Sequence, residues 1–566
     1  MSISANHHNL AINLQPAWAI VYGKIKDRTE QIVWQDNFLS LLAPSDLTSA
    51  PYTVFHDFVI IGDVWLSNRQ SLLTKLDRDG TDLEIIAQLW EQYGQTSLDY
   101  LQGMFSLVIW NRDRQRLTLI RDPVGAKTLY YTHHHGIHAI APRLSTLLPY
   151  HSPELDPIAL RDYLCCAFVP GERTLWQNVK ELRPGEILDL PEGRNYPYWR
   201  LTTNILEPHQ DLSGYGADLR QLLEQVVREY LPEAAPVGVF LSGGLDSSSI
   251  TALVKQFHAQ RVHTYSIHFG AECPHELEFS SLVAHHCQTE HHILEISFAE
   301  MWSRLSETMG LLDDPIGDPL TVPNLLLGQL AKQSVDIIFN GEGGDPCFGG
   351  PKNQPMLINS LYGQVNQQDA LTAYLISFQK CAADLPQLLQ PDLWKLVKDQ
   401  PSLFSQDLED DRLPYLNRLM GLNIKYKGAN HILTKVNNLT QATQLRPRSP
   451  LFDRRVVEMS MQIPPHYKLS GREEKAVLKA AVKDLLPPAI IDRPKSGMMV
   501  PVQLGFKKYW HREARGLLLN KKAKIAPYIR QEIIKDWLEY RGDTWNRYGV
   551  KLWLLTSLEL WLASQI

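Results

Sequence analysis

Residues 237–257 read VGVFLSGGLDSSSITALVKQF: a short apolar run, a Ser-Gly-Gly loop, and then a helix-forming segment. The run shows no polar alternation, so it reads as a strand buried on both faces, as in a parallel sheet covered by helices. Where such a strand feeds a helix, backbone N–H groups and the positive end of the helix meet at one point. Gly243 and Gly244 let backbone approach an anion closely, and Ser242, Ser247 and Ser248 add hydroxyl donors. Asp246 is the odd member, because a carboxylate beside a phosphate makes sense mainly through a bridging Mg²⁺. No lysine follows the glycines, which excludes a Walker A loop, and the dinucleotide GxGxxG spacing is absent. A tight turn without a ligand is the plain alternative.

The segments around this unit alternate between helix and strand. YGADLRQLLEQVVREYL and EFSSLVAHHC read as helices, and VHTYSIHF, HHILEI and DIIFNG as strands, which predicts a doubly wound parallel sheet. From residue 360 onward helical periodicity with Pro breaks dominates. The first 200 residues follow another grammar, in which short β-branched or aromatic runs are separated by turns such as NRDRQ and HHHG. One clear helix interrupts them, TDLEIIAQLWEQYG, with Thr81 as its N-cap. A second begins within 152–164, and 182–193 reads as a closing β-hairpin. The polar stretch 204–214 reads as a linker. These features predict an α+β sandwich over 1–203 and an α/β unit over 204–566.

The chain of 566 residues is long enough for two or more cores. Its 62 acidic and 56 basic residues argue against general nucleic-acid or anionic-membrane binding. The apolar runs are strand-length and MSISANHHNL lacks a signal-peptide pattern, so a cytoplasmic protein is expected. The six scattered cysteines read as free thiols. No Cys/His spacing fits zinc. His133–His135 read as an exposed turn, His285–His286 and His291–His292 as helix-end and strand-start residues, none as a metal site, and Tyr130–Tyr131 as core.

Further motifs carry chemistry. In DIIFNGEGGDPCFGG (336–350) a second apolar strand ends in a glycine loop bearing Glu342 and Asp345. Neighbouring parallel strands open their carboxyl ends onto one crevice, which would bring Asp345 near Asp246 as a second Mg²⁺ carboxylate. Glu342 would position or deprotonate an acceptor; a solvated acidic loop is the alternative. GREEKAVLKAAVKDLLPPAIIDRPKSGMMVP (471–501) supplies Lys475, Arg493 and Lys495 as fixed positive charge for a leaving pyrophosphate.

SGGLDSS resembles the pyrophosphate loop of the ATP pyrophosphatases. Together with GEGGD, RSPLFDRRVVE (448–458), EKAVL and RPKSGM, it resembles the glutamine-hydrolysing asparagine synthetase superfamily. GMFSLVIWNRDRQRLTLIRDPVGAKTLYY (103–131) is similar to that family's glutaminase domain. The resemblance implies an N-terminal Ntn-type four-layer sandwich joined to an α/β ATP-pyrophosphatase domain with a helical C-terminal part. It implies ATP and Mg²⁺ as cofactors, a carboxylate activated as acyl-AMP, and an amine acceptor. Carried over by position, Leu241, Ser242, Gly243, Gly244, Asp246, Ser247 and Ser248 would bind the phosphates. Ile267 and Gly341 would flank adenosine, Asp246 and Asp345 would serve Mg²⁺, and Lys475 would stabilise the adenylate. The oligomeric state stays open, a homodimer included.

The departures lie in the first half. Glutamine-hydrolysing members begin Met-Cys, whereas this chain begins Met1-Ser2, and a serine is a weaker nucleophile than a partly ionised thiol. The family's Asn-Gly-Glu appears as Ile61-Gly62-Asp63, and an isoleucine side chain donates no hydrogen bond to an oxyanion. The glutamine-clamping arginine has no counterpart in SAPYTVFHDF; only Asp82 resembles a retained glutamine contact. The expectation is a silent glutaminase site. Three enzyme readings remain. One is ligation with the substrate's own amine, as in lasso-peptide cyclases and β-lactam synthetase; Glu342 stands where β-lactam synthetase has Tyr. The others are asparagine synthesis from free ammonia and amidation of another small acid. A nucleotide-binding pseudoenzyme is the reading from a different class.

Overall fold

A computed structural model describes residues 17–23, 32–44, 50–203, 211–350, 356, 369–470, 473–493, 500–541 and 547–565. Ser2, Lys495 and positions 204–210 of the expected linker lie outside the described residues.

The first half is built on two six-stranded antiparallel sheets. In one, the strands run in the order Val179–Glu181, Tyr130–His134, Ile137–Ala141, Ala19–Tyr22, Leu39–Leu42 and Ile32–Gln35. In the other, the order is Arg194–Pro197, Glu186–Leu190, Arg116–Arg121, Gly103–Asn111, Phe58–Leu66 and Tyr52–Phe55. Side chains alternate across a strand, and the cores follow that period. Val59 and Ile61 pack between the sheets with Ile20, Leu41 and Trp110, whereas Ile60 faces outward onto Ile86 and Leu89. Those last two residues belong to the helix Asp82–Tyr93. Its N-terminus is a capping box: Glu84 N donates to Thr81 Oγ1 (3.3 Å) and Thr81 N donates to Glu84 Oε2 (2.6 Å). On the far side, the helix Pro157–Cys166 covers the first sheet, completing the four α/β/β/α layers.

The second half holds five parallel strands in the order Glu290–Glu295, Val262–His268, Val237–Phe240, Ile337–Phe339 and Arg446–Arg448. The fold class therefore matches the expectation from sequence. Two local boundaries differ. The expected linker ends earlier, because Asp211 caps a helix that already starts at Leu212 by accepting from Gly214 N (2.8 Å). The expected 182–193 hairpin is displaced, pairing Glu186–Leu190 with Arg194–Pro197. Its turn residues lie at 191–193, so the second strand begins where the polar composition had suggested an end.

The halves share one hydrophobic core. The outer face of the first sheet continues through Tyr163 to Trp553 and Trp561 of the C-terminal helix Tyr548–Gln565. Trp176 stacks near Trp561 with ring centroids 5.5 Å apart, and Tyr163 Oη donates to Leu554 O (2.9 Å). All six cysteines are buried and unbridged. Among the described residues no helix is long and apolar enough to cross a membrane.

A buried ion pair locks this junction. Arg143 Nε donates to Asp313 Oδ1 (2.8 Å), and Arg143 Nη2 donates to Leu311 O (2.7 Å). Leu144 N and Asn438 Nδ2 also donate to the Asp313 carboxylate, which is 1% exposed. Arg143→Ala leaves that carboxylate buried without its cation, a loss of about 3–5 kcal/mol. The expected outcome is a clearly lower thermal midpoint; an unchanged midpoint would show that the pair does not hold the halves together.

Candidate active site

The carboxyl ends of Val237–Phe240 and Ile337–Phe339 lie side by side at the point where the strand order reverses. A crevice opens there in folds of this kind. The loop after the first strand enters the helix Leu245–Phe257, whose N-cap Gly244 supplies no side-chain cap. Ser242 N donates to Ser247 Oγ (3.1 Å), the two hydroxyls lie 3.0 Å apart, and Gly244 N reaches Ser242 Oγ (3.3 Å). Ser248 Oγ is buried without a hydrogen-bond partner. Gly243 has φ +79°, and a Cβ there would lie 2.5 Å from Ser280 N, so glycine is required.

The second loop packs directly on the first. A Cβ on Gly341 would fall 2.5 Å from Ser247 N, and one on Gly344 would fall 2.1 Å from Asp246 Cγ. These glycines are therefore what lets the two loops touch. Glu342 N donates to Asn340 Oδ1 (3.0 Å), turning the chain just after the strand.

Lys475 closes the site from 130 residues further along the chain. It follows the short hairpin pairing of Leu469–Ser470 with Glu473–Glu474, and it caps the helix Ala476–Val482 in the left-handed region, φ 55°. Its Nζ donates to Asp246 Oδ1 (2.7 Å) and Oδ2 (2.5 Å) and lies 2.6 Å from Asp345 Oδ1. The side chain is 3% exposed. Burial works against its charge, but Asp246 and Asp345 hold the ammonium well above the usual lysine range. A non-glycine residue with positive φ, fixed by two carboxylates, marks a site where the surroundings impose the conformation.

The carboxylates of Asp246 and Asp345 thus converge on one cation, from loops packed directly on each other. Hard oxygen donors of this kind suit Mg²⁺, and the convergence on a positive charge fits that ion. Arg493 Nη1 donates to Gly243 O (3.2 Å), Nη2 reaches Glu276 Oε1 (2.5 Å), and the guanidinium lies over the Phe279 ring at 3.8 Å. Ile267 is buried on the neighbouring strand, beside Ser266, whose Oγ donates to Leu241 O (2.5 Å).

Glu342 belongs to a second group of charges that sequence reasoning did not single out. Burial raises its carboxyl above the ordinary range; Lys435 opposes this, while Asp318, Asp345 and Asp246 reinforce it. Lys435 Nζ donates to Asp318 Oδ2 (2.6 Å), and His431 Nε2 lies 3.3 Å from the same oxygen. Burial pushes the His431 imidazole down to about 4, and its ring stacks on Phe168 of the first half at 5.3 Å. The signal was periodicity: positions 431, 435 and 438 recur at helical spacing. They are carried by a run from Tyr415 to Ala442 that includes the π-helical stretch Asn423–Leu433. Such stretches are frequent at functional sites.

In the first half, Ile61 is fully buried between the sheets. Asp63 pairs with Lys127 (2.8 Å) and accepts from Gln441 Nε2 (3.4 Å). Both oxygens of Asp82 are engaged locally, by Leu66 N (3.0 Å) and Arg69 Nη1 (2.6 Å). Next to them, Arg448 lies 3.6 Å over the Trp65 ring, which meets Tyr230 edge-on at 4.8 Å.

Lys475→Met removes the ammonium that both Asp246 and Asp345 contact. Because the carboxylates are only partly buried, the loss falls below the roughly 3–5 kcal/mol of a fully buried pair. The variant is expected to melt earlier than the parent and to regain part of the difference with Mg²⁺ alone. Equal midpoints, with or without Mg²⁺, would count against the triad.

Comparison with known proteins places these features in a lineage. Residues 218–563 match the family model described as asparagine synthase, and residues 40–199 match that of a glutamine amidotransferase domain. A Bacillus subtilis (strain 168) protein named asparagine synthetase (glutamine-hydrolyzing) 1 is 25% identical over 518 residues, covering 86% of this chain and 81% of its own. A Mycobacterium bovis protein named putative asparagine synthetase (glutamine-hydrolyzing) is 26% identical over 537 residues, covering 86% and 80%. A Penicillium rubens protein named amidase chyE is 23% identical over 585 residues, covering 87% and 84%. With a family model spanning the whole parallel-sheet half and its helical extension, the chain belongs to the asparagine synthase family.

Proposed function

We propose that the chain is an ATP-dependent amide-forming ligase that activates a carboxylate as acyl-AMP and releases pyrophosphate. The acyl group then passes to an amine not produced by its own N-terminal half, with AMP as the leaving group. The observation that carries this reading is the Lys475 ammonium held between Asp246 and Asp345 beside the Ser-Gly-Gly loop. A buried, fixed cation at the phosphate end of the crevice stabilises negative charge that develops as pyrophosphate departs. Asp246 and Asp345 would hold Mg²⁺, which neutralises phosphate charge when bound. Leu241–Ser248 would cradle the phosphates, and Ile267 and Gly341 would flank the adenine nucleoside.

Glu342 is assigned the acceptor side. An ammonium must lose a proton before its nitrogen can attack an acyl-AMP, and the attacking nitrogen loses another as the amide forms. A carboxylate of raised pKa is a better base for either proton near neutral pH than an ordinary one. Lys435 and Asp318 place charge beside that position and the neutral His431 imidazole adds a polar group, together orienting a polar substrate.

The amine source is assigned away from glutamine on two features of the first half. Ile61 stands where the family has an oxyanion-donating Asn, and SAPYTVFHDF offers no counterpart of its glutamine-clamping arginine. Losing one oxyanion donor alone typically costs about 10²–10³ in rate. The substrate's own amine, as in macrolactam formation, fits this reading. Asparagine formation from aspartate with ammonia or glutamine is the second reading, supported by the relatives' names, which print glutamine-hydrolyzing asparagine synthetase.

ATP–pyrophosphate exchange, measured across aspartate, other small acids and peptides with free carboxylates, tests the activation step. Exchange dependent on one class of acid is expected, and none with any acid would reduce the chain to a nucleotide binder. Product assays with ammonia and glutamine test the rest: asparagine formed equally well from both would overturn the silent glutaminase. Glu342→Gln is expected to lower amide formation by about 10²–10⁴ while leaving exchange largely intact. In the parent, amide formation should fall as acid protonates Glu342, with the midpoint above that of an ordinary glutamate.

A further inference from the structure

The amino ends of the parallel strands lie opposite the nucleotide crevice, and they carry a separate group of ligating side chains. The register pairs His263 with Glu290 and Tyr265 with His292. Glu290 and His292 are two residues apart on the edge strand and so project from one face, which His263 shares on the adjacent strand. His263 Nδ1 lies 3.1 Å from His292 Nε2 and 3.9 Å from Glu290 Oε2, and His292 Nε2 lies 3.8 Å from Glu290 Oε1. One ligating atom from each residue falls within 4.8 Å of the others. Ligand atoms of a tetrahedral ion with bonds of about 2.0–2.2 Å are separated by roughly 3.3–3.6 Å. The three atoms already approach that spacing.

We propose that His263, Glu290 and His292 form a binding site for a divalent transition-metal ion of the zinc class, with solvent completing the shell. Two imidazole nitrogens and one carboxylate are a borderline donor set that suits zinc over magnesium or calcium. The Tyr265 ring, stacked on His292 with centroids 5.0 Å apart, holds that imidazole in place. Arg261 Nη1 lies 3.2 Å from Glu290 Oε2, and this exposed pair must open when the ion enters. Surface pairs of that kind contribute little, so the opening is inexpensive. The ion would tie the edge strand to its neighbour at the end of the sheet away from the crevice. Its role is structural, and the site is independent of the ligase reading. Sequence spacing hides it, because the histidines stand 29 residues apart and meet only through strand pairing.

Cobalt(II) serves as the probe, added to the untagged full-length chain and followed by its visible d–d absorption. The expected result is one Co²⁺ per chain, displaced by Zn²⁺, and lost in His292→Ala. Glu290→Gln, at an exposed position, keeps the fold intact and should weaken binding by more than the roughly 10–100-fold lost when an outer partner of a ligand is removed. Thermal midpoints in chelator should match between parent and variants, showing that the variants fold. Absence of Co²⁺ binding by the parent would overturn the proposal. So would stoichiometric binding that survives in His292→Ala, because the ion would then be held elsewhere, for instance near His133–His135.

Discussion

Three distant segments of the second half are held together by one ammonium group. Lys475 donates to Asp246 on the first loop and contacts Asp345 on the second; the ammonium is buried and the two carboxylates are partly exposed. Two carboxylates brought this close repel strongly unless a cation lies between them. The lysine therefore permits the loops to converge, and the loops in turn impose on Lys475 a backbone conformation that few non-glycine residues adopt. The hairpin before it and the helix after it are positioned by the same requirement. Asp246 and Asp345 are presented to the crevice as a pair.

The convergence also needs the absence of side chains. Gly341 and Gly344 face the first loop at distances where any Cβ would overlap it. Because both loops follow adjacent parallel strands, the sheet sets their separation at one strand spacing, and the glycines remove what would otherwise fill it. Charge and steric fit thus act on the same few atoms. A substitution at either kind of position disturbs the other.

The first half is more than an appended module. Its outer sheet face shares a core with the C-terminal helix, Arg143 reaches across to Asp313, and Phe168 stacks on His431 beside Lys435 and Asp318. The glutaminase-like sandwich supplies one wall for the charge group that faces Glu342. Removing a domain in this position would expose apolar surface and strip the buried charges of partners.

The local elements were legible because they depend on neighbours in the chain. Thr81 and Glu84 form their capping box within one turn, and the apolar run 237–241 can only be a buried strand ahead of a glycine loop. The motif SGGLDSS and the acidic loop at 342–345 likewise carried their chemistry in residue type and spacing. Tertiary structure decided which of these groups meet. Residue chemistry alone does not separate Lys475 from other helix-start lysines; the resemblance of EKAVL singled it out, and its contacts are with carboxylates 229 and 130 residues away. Asp318 and Lys435, and likewise His263 and His292, become neighbours only through helix packing and strand register. Short-range propensity and steric rules are written into adjacent residues, whereas Coulombic pairing and metal-type geometry depend on distances that only the folded chain sets.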